Sequence, residues 1–167
     1  AQECGISLFE PARIKHLDIA LDGADEVDAK GNLLKGGGGS LLREKIVAFA
    51  SQRFYVMVDE SKIVRTLGAF PLPVEITPFG LPFTIRHIRC LGVEPVIRMS
   101  EDAPFKTDNG NHIADCAFGE ISDPAELDFK LKMIPGVVET GLFSSKIVTS
   151  VFVGNKSGDA KEIRISK

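Results

Sequence analysis

The chain has 167 residues, 44% of them hydrophobic and 26% charged, with a net charge of −3. That is the composition of a globular protein of one domain or two small ones, and it carries no general electrostatic footprint for nucleic acid or a membrane surface. Cys4, Cys90 and Cys116 are odd in number, far apart and free of CxxC, which argues against a disulfide framework or zinc site and makes a reducing cytoplasm the expected setting.

No apolar run is long enough for a membrane span, and no signal peptide is visible. Ala1 to Gly5 reads as the last turn of a helix with Gly5 as its stop, and Ile6 to Phe9 as a short strand ended by Pro11. Leu17 to Leu21 is a short apolar strand of the kind buried in a parallel sheet, and it empties into Asp22-Gly23-Ala24-Asp25-Glu26. Gly36 to Gly39 then lead into a helix predicted from Ser40, a good N-cap residue, to about Gln52. Phe54 to Val58 repeats the first strand and empties into Asp59-Glu60-Ser61-Lys62. Strand, helix, strand at this spacing is a βαβ unit, whose ligands sit beyond the carboxyl ends of the strands.

A proline hinge at Phe70-Pro71-Leu72-Pro73-Val74 marks a change of order. Val74 to Ile76, Glu94 to Met99, Asn111 to Phe118 and Val137 to Leu142 read as strands, with helices over Gly80 to Leu91 and Asp123 to Met133. Asp108-Asn109-Gly110-Asn111 predicts a hairpin turn, and Asp123 with Pro124 a capped helix start. This βαββαβ order is a ferredoxin-like split unit. Ile147 to Val153 and Glu162 to Ile165 are further strands returning to the first sheet. The predicted fold is α/β: a Rossmann-like open parallel sheet core over 1–72 and 143–167, carrying an inserted ferredoxin-like α+β domain over 73–142.

The glycine run is the stretch that carries chemistry. Four glycines are costly in conformational entropy, and the helix start behind them brings free N–H groups and the positive end of a dipole to one point, an anion site. A flexible linker would be longer and more polar than a run flanked by Leu33-Leu34 and Leu41-Leu42. Lys35 precedes the glycines, which breaks the P-loop pattern, and Leu41 stands where a dinucleotide fingerprint needs its third glycine. Asp22 and Asp25 alone read as turn formers. As a calcium loop the acidic run fails, because Lys30 falls where an oxygen ligand belongs. Lys35 either is a solvated strand-end lysine or adds its charge to the anion loop. Glu44 is either an exposed first-turn glutamate or, beside Val47 and Ala48, a partly covered carboxylate whose pKa rises from about 4.3 toward the range of a general base. His16, His87 and His112 have no partner at metal-ligand spacing, so no metal site is predicted.

Asp22-Gly23-Ala24-Asp25-Glu26, Lys35-Gly36-Gly37-Gly38, Arg43-Glu44-Lys45, Asp59-Glu60-Ser61-Lys62, Phe70-Pro71-Leu72-Pro73-Val74-Glu75, Thr107-Asp108-Asn109-Gly110-Asn111, Ile134-Pro135-Gly136-Val137-Val138 and Gly141-Leu142-Phe143 resemble the A-type ribose-5-phosphate isomerase family in order and spacing. The resemblance runs across nearly the whole chain. It implies interconversion of D-ribose 5-phosphate and D-ribulose 5-phosphate in the non-oxidative pentose phosphate pathway, with no metal or organic cofactor. It also implies that Glu44 moves a proton between C1 and C2, that Asp22 or Asp25 assists ring opening, and that Lys35 with the glycine amides stabilises the enediolate. Asp22, Gly23, Ala24, Asp25, Lys35, Gly36, Gly37, Gly38 and Lys62 would contact the substrate, Lys62 at the phosphate. The implied partner is a small-molecule sugar phosphate, with neither nucleic acid nor membrane, and the implied state is a cytoplasmic homodimer or homotetramer. The family's opening helix, first strand and glycine-, serine- and threonine-rich phosphate turn have no counterpart here, and the expectation is a fragment of a longer protein. A sugar-phosphate-sensing domain of a transcriptional regulator has a similar core but is not expected to keep Glu44, Asp22, Asp25 and Lys35 together. A coenzyme A transferase has a related core and a catalytic glutamate, but not the aspartate loop followed by the Lys35 glycine run.

Overall fold

A computed structural model describes residues 2–9 and 11–165. After a 3-10 turn over Gln2–Cys4 come β1 (Leu17–Asp22), β2 (Glu26–Val27), β3 (Leu33–Leu34), α1 (Leu41–Ala50) and β4 (Ser51–Asp59). The chain continues through β5 (Leu72–Ile76), α2 (Leu81–Arg89), β6 (Pro95–Ile97), β7 (Met99–Ser100), β8 (Ala103–Pro104) and β9 (His112–Cys116). It closes with α3 (Pro124–Lys132), β10 (Val137–Thr140), β11 (Leu142–Phe143), β12 (Val148–Gly154) and β13 (Ala160–Arg164).

In the first sheet, ordered β1-β4-β12-β13, both β1 and β12 run parallel to β4 and β13 pairs antiparallel to β12. Parallel neighbours need a crossover, and α1 supplies the one between β1 and β4. Ala20, Phe54, Val56, Val148, Val151 and Val153 of this sheet form a core with Ala48 of α1, Val27, Leu33 and Phe143. The second sheet is ordered β10-β5-β9-β6, and every neighbouring pair in it is antiparallel. Within the βαββαβ run these are the last, first, third and second strands, the ferredoxin-like arrangement. Ile85 and Ile88 of α2 and Leu131 of α3 pack with Leu72, Val74, Ile76, Ala114 and Cys116 of this sheet. The same core draws in Leu34, Leu67 and Leu142 from outside the run. A small sheet, β11-β3-β2, forms the seam, and burying Leu34 there contributes about 2 kcal/mol.

Several local expectations are corrected. Ile6 to Phe9 forms no strand: Ile6, Leu8 and Phe9 are exposed, no described strand pairs with them, and Pro11 opens a 3-10 turn. Of the expected helix end, Ala1 lies outside the described residues and Gln2–Cys4 is a single 3-10 turn before Gly5. β1 is not buried, because it stands at the sheet edge among the described strands and leaves Ile19 and Leu21 exposed. The strand expected over Glu94 to Met99 breaks after Ile97, where Arg98 leads into the β7–β8 hairpin. Ser40 stands at the N-cap of α1, yet its side chain makes no capping bond, whereas Asp123 caps α3 by accepting the Glu126 amide at 2.9 Å. Helix α1 ends at Ala50 because Ser51 and Gln52 already belong to β4.

Helix α1 is seated against the α+β unit by the residues on either side of Glu44. Arg43 donates to Asp108 O at 2.7 Å and to Asn109 Oδ1 at 3.2 Å. The turn it grips is wrapped on buried Glu75, whose Oε1 accepts from Thr107 Oγ1 at 2.9 Å and Asn111 Nδ2 at 2.8 Å. Lys45 donates to Glu139 Oε1 at 2.7 Å and Thr140 O at 2.8 Å, while Lys132 reaches Glu139 Oε2 at 3.0 Å. Burial pushes the Lys45 ammonium toward a lower pKa and the Glu139 carboxylate opposes it. Removing one partner of a largely buried pair leaves the other charge uncompensated. Lys45→Ala is therefore expected to lower the unfolding free energy by about 3 kcal/mol, read from the urea midpoint at unchanged slope. A loss under about 0.5 kcal/mol would class this pair with exposed ion pairs.

Candidate active site

The site is built around Lys35, which follows β3 and is fixed at its backbone by donating to Gly141 O at 2.8 Å. Its side chain is 4% exposed, and a buried ammonium has to be paired. Lys35 Nζ donates to Gly23 O at 2.5 Å and lies 3.0 Å from Asp22 Oδ2 and 3.2 Å from Glu44 Oε2. The partners arrive on two separate stretches of chain. Asp22 ends β1 and accepts the Gly23 amide on its other oxygen at 2.8 Å, Gly23 follows it, and Glu44 projects from the first turn of α1.

Asp25 holds the glycine turn. Its Oδ2 accepts the Gly37 amide at 2.8 Å, and its own amide donates to Leu34 O at 2.9 Å. Gly37 has no room for a side chain, since a Cβ there would stand 2.7 Å from Asp25 Oδ1. Gly36 takes φ +103, and a Cβ on it would meet Leu41 Cδ2 at 2.9 Å. At Gly38 the corresponding space is open. Asp22, Gly23, Ala24, Asp25, Lys35, Gly36, Gly37, Gly38, Glu44 and Lys62 all line one cavity of about 270 Å³. The residues singled out from the sequence thus meet at one point beyond the carboxyl ends of β1 and β4. Glu26, in the same acidic run, stands apart: it is buried, and its two oxygens accept the amides of Gly68 and Phe70, both at 2.6 Å.

The supply of glycine amides is smaller than expected. Gly37 N–H is taken by Asp25, and Gly39 N–H closes a turn onto Gly36 O at 3.0 Å. The N–H groups of Gly36 and Gly38 have no acceptor among the described residues. Sequence reasoning also missed Arg98. Its Nη1 donates to Gly36 O at 2.9 Å and Gly37 O at 3.0 Å, while Nε and Nη2 grip Asp115 at 2.9 and 2.6 Å. A single arginine at the end of an apolar strand gave no signal, because its carboxylate and carbonyl partners are distant in the chain.

Burial is the largest influence on Glu44 and raises its pKa; Lys35 pulls it down, Asp22 pushes it up, and the net direction is upward. Glu44 Oε2 is buried against the ammonium at 3.2 Å, while the side chain as a whole is 27% exposed. A half-buried carboxylate with a raised pKa and a cation beside it is suited to take up a proton and return it. A groove of about 580 Å³ on the other flank of α1 has no such chemistry: it is lined by Ile46, Phe49 and Phe143, and its Lys45, Lys132 and Glu139 are paired with one another. Among the described residues no three His, Cys, Asp or Glu gather as metal ligands, and no helix is long and apolar enough to cross a membrane.

The fold is a mixed α/β architecture, and its cavity joins carboxylates, a buried ammonium and a glycine turn in the way a site for a small anionic molecule requires. A family model described as ribose 5-phosphate isomerase A (phosphoriboisomerase A) matches residues 1–158. Ribose-5-phosphate isomerase A 1 of Oceanobacillus iheyensis is 51% identical over 156 residues, covering 93% of this chain and 69% of the relative. The ribose-5-phosphate isomerase A of Thermomicrobium roseum is 47% identical over 161 residues, covering 95% of this chain and 68% of the relative. A D-ribose-5-phosphate isomerase solved in complex with phospho-erythronic acid superposes with a TM-score of 0.91 at 37% identity, covering 98% of this chain and 72% of its own. The Methanocaldococcus jannaschii ribose 5-phosphate isomerase A superposes with a TM-score of 0.89 at 42% identity, with the same coverage of 98% and 72%. The chain belongs to the ribose 5-phosphate isomerase A family. The regulator domain and the coenzyme A transferase considered from the sequence find no support in these matches.

The raised Glu44 pKa has a consequence for stability. The folded state holds that proton more tightly than the unfolded chain, so stability falls as pH rises through the two values, and the ionised carboxylate opposes folding at pH 7. Glu44→Gln is expected to raise Tm at pH 7, with the gain shrinking as pH falls through the raised folded value toward about 4.3 and gone below it. A lower Tm for the variant at pH 7 would show that the contact with Lys35 outweighs the burial.

Proposed function

We propose that Glu44 is the base in the interconversion of D-ribose 5-phosphate and D-ribulose 5-phosphate. The observation that carries this reading is the Glu44 carboxylate 3.2 Å from the buried Lys35 ammonium, on the wall of the cavity that Asp22, Asp25 and the glycine turn complete. Asp22 or Asp25 assists opening of the sugar ring. Glu44 then takes the proton from C2 of the open-chain aldose, and the electron pair moves into a C1–C2 double bond and onto O1. Lys35 and the Gly38 amide stabilise the charge on oxygen; loss of one such donor typically costs about 10²–10³ in rate. Return of the proton to C1, while the hydroxyl proton of O2 ends on O1, leaves the ketose.

Lys62, which lines the same cavity from the turn after β4, is assigned to the phosphate. A sugar phosphate as ligand class is supported by the relative that holds phospho-erythronic acid. The reading includes a division into a core over 1–72 and 143–167 with an inserted domain over 73–142, a cytoplasmic setting and a homo-oligomer. Exposed Phe49, Ile46, Phe129 and Met133 support the oligomer.

Incubation with ribose 5-phosphate in heavy water is expected to place deuterium on the carbon beside the carbonyl. Glu44→Gln should abolish that exchange while retaining sugar-phosphate binding by calorimetry, because the amide keeps the shape and cannot accept the proton. Loss of binding in proportion to exchange would make Glu44 structural. Since the base must be ionised, kcat/KM should fall on the acid side with a midpoint above the ordinary glutamate value of about 4.3. A midpoint at or below that value would remove Glu44 from the role.

A further inference from the structure

We infer that Arg98, from the α+β unit, is a positioning residue for this reaction: by holding the carbonyls of Gly36 and Gly37 it aims the Gly38 N–H at the oxygen that becomes negative. The inference rests on the enediolate reading above. A planar trans peptide directs its C=O and its N–H in opposite directions. Gly36 O shares a peptide with Gly37 N–H, and Gly37 O shares the next one with Gly38 N–H. Both carbonyls lie on Arg98 Nη1, at 2.9 and 3.0 Å, so both amides face the other way. The first lands on Asp25 Oδ2 at 2.8 Å, a residue of the cavity wall. The second, Gly38 N–H, has no acceptor among the described residues, and the space beside Gly38 is open.

A glycine run left to itself samples many backbone conformations, and a donor that must reorganise during the reaction stabilises little. Arg98 removes that freedom, and Asp115 fixes Arg98 in turn. The guanidinium is largely buried, its side chain 16% exposed, and its other edge is held bidentately by the carboxylate. Only a planar fork presents one edge to a carboxylate and another nitrogen to two carbonyls, so lysine is a poor substitute.

The test separates binding of charge that develops from binding of the substrate as it arrives. Phospho-erythronic acid carries a full carboxylate charge at the end of the molecule where the enediolate would carry its own, whereas the sugar phosphate has only a polarised carbonyl there. Arg98→Met is expected to lower kcat about 10²-fold, with KM for ribose 5-phosphate changed by less than about threefold. Its Kd for phospho-erythronic acid, by calorimetry, should rise in step with the loss in kcat/KM, while its Kd for ribose 5-phosphate stays near the parent's. Arg98→Lys should recover only part of the loss. Should Arg98→Met fail to fold, Asp115→Asn, which frees the fork without removing it, is expected to show the same split to a smaller degree. Unchanged kcat, or equal weakening for acid and sugar phosphate, would overturn the inference and mark Arg98 as a structural strut. If the parent chain exchanges deuterium and Glu44→Gln does not, such a result removes Arg98 alone; a parent chain that exchanges none removes the enediolate reading and this inference with it.

Discussion

A buried lysine ammonium is the constraint from which the rest follows. Taking Lys35 out of water without partners would cost several kcal/mol, and its partners come from the end of β1, the turn after it and the first turn of α1. The need to pair one cation therefore pulls the β1 end and the first turn of α1 to the stretch that bears Lys35, and the cavity is the space left between them. The same contact sets the character of Glu44. Burial alone would push the Glu44 carboxyl upward, and the neighbouring cation limits the rise. The result is a carboxylate whose basicity is raised while its ionised form remains accessible.

The glycine turn shows how a backbone becomes a chemical group. Neither the charge of Lys35 nor the dipole of α1 selects which amides are free. That is decided by neighbours: Asp25 takes one amide, Gly36 O takes another, and the carbonyls of Gly36 and Gly37 are held by the arginine that follows β6. Ser40, which has the composition of a helix cap, leaves the first turn of α1 uncapped, and its place in the sequence gave no hint of that.

What could be read in the chain beforehand was whatever is written in short spacing. The acidic run after β1, the glycine run, Glu44 one turn into its helix and the βαββαβ order all announce themselves through local periodicity and through Gly and Pro punctuation. Contacts made across the fold did not. The pairing of Arg98 with Asp115 and with two glycine carbonyls joins residues that no local pattern connects, and the shared packing of Leu34, Leu67 and Leu142 hides a seam that composition presents as a boundary. Ile6 to Phe9 has the apolar content of a strand, and it failed as one for want of a neighbour to pair with.

Arg43, Glu44 and Lys45 are consecutive on a helix and so project roughly 100° apart. The first grips the Asp108–Asn109 turn, the last grips Glu139 and Thr140, and the middle one faces the cavity. The helix is thereby fixed in roll, like a shaft keyed on both sides, and the bearing of the carboxylate is dictated by how the adjoining unit docks. Substitution at Glu139, or in the turn shaped by Glu75, would therefore be felt at Glu44 as a change in the roll of its helix, although neither side chain lines the cavity.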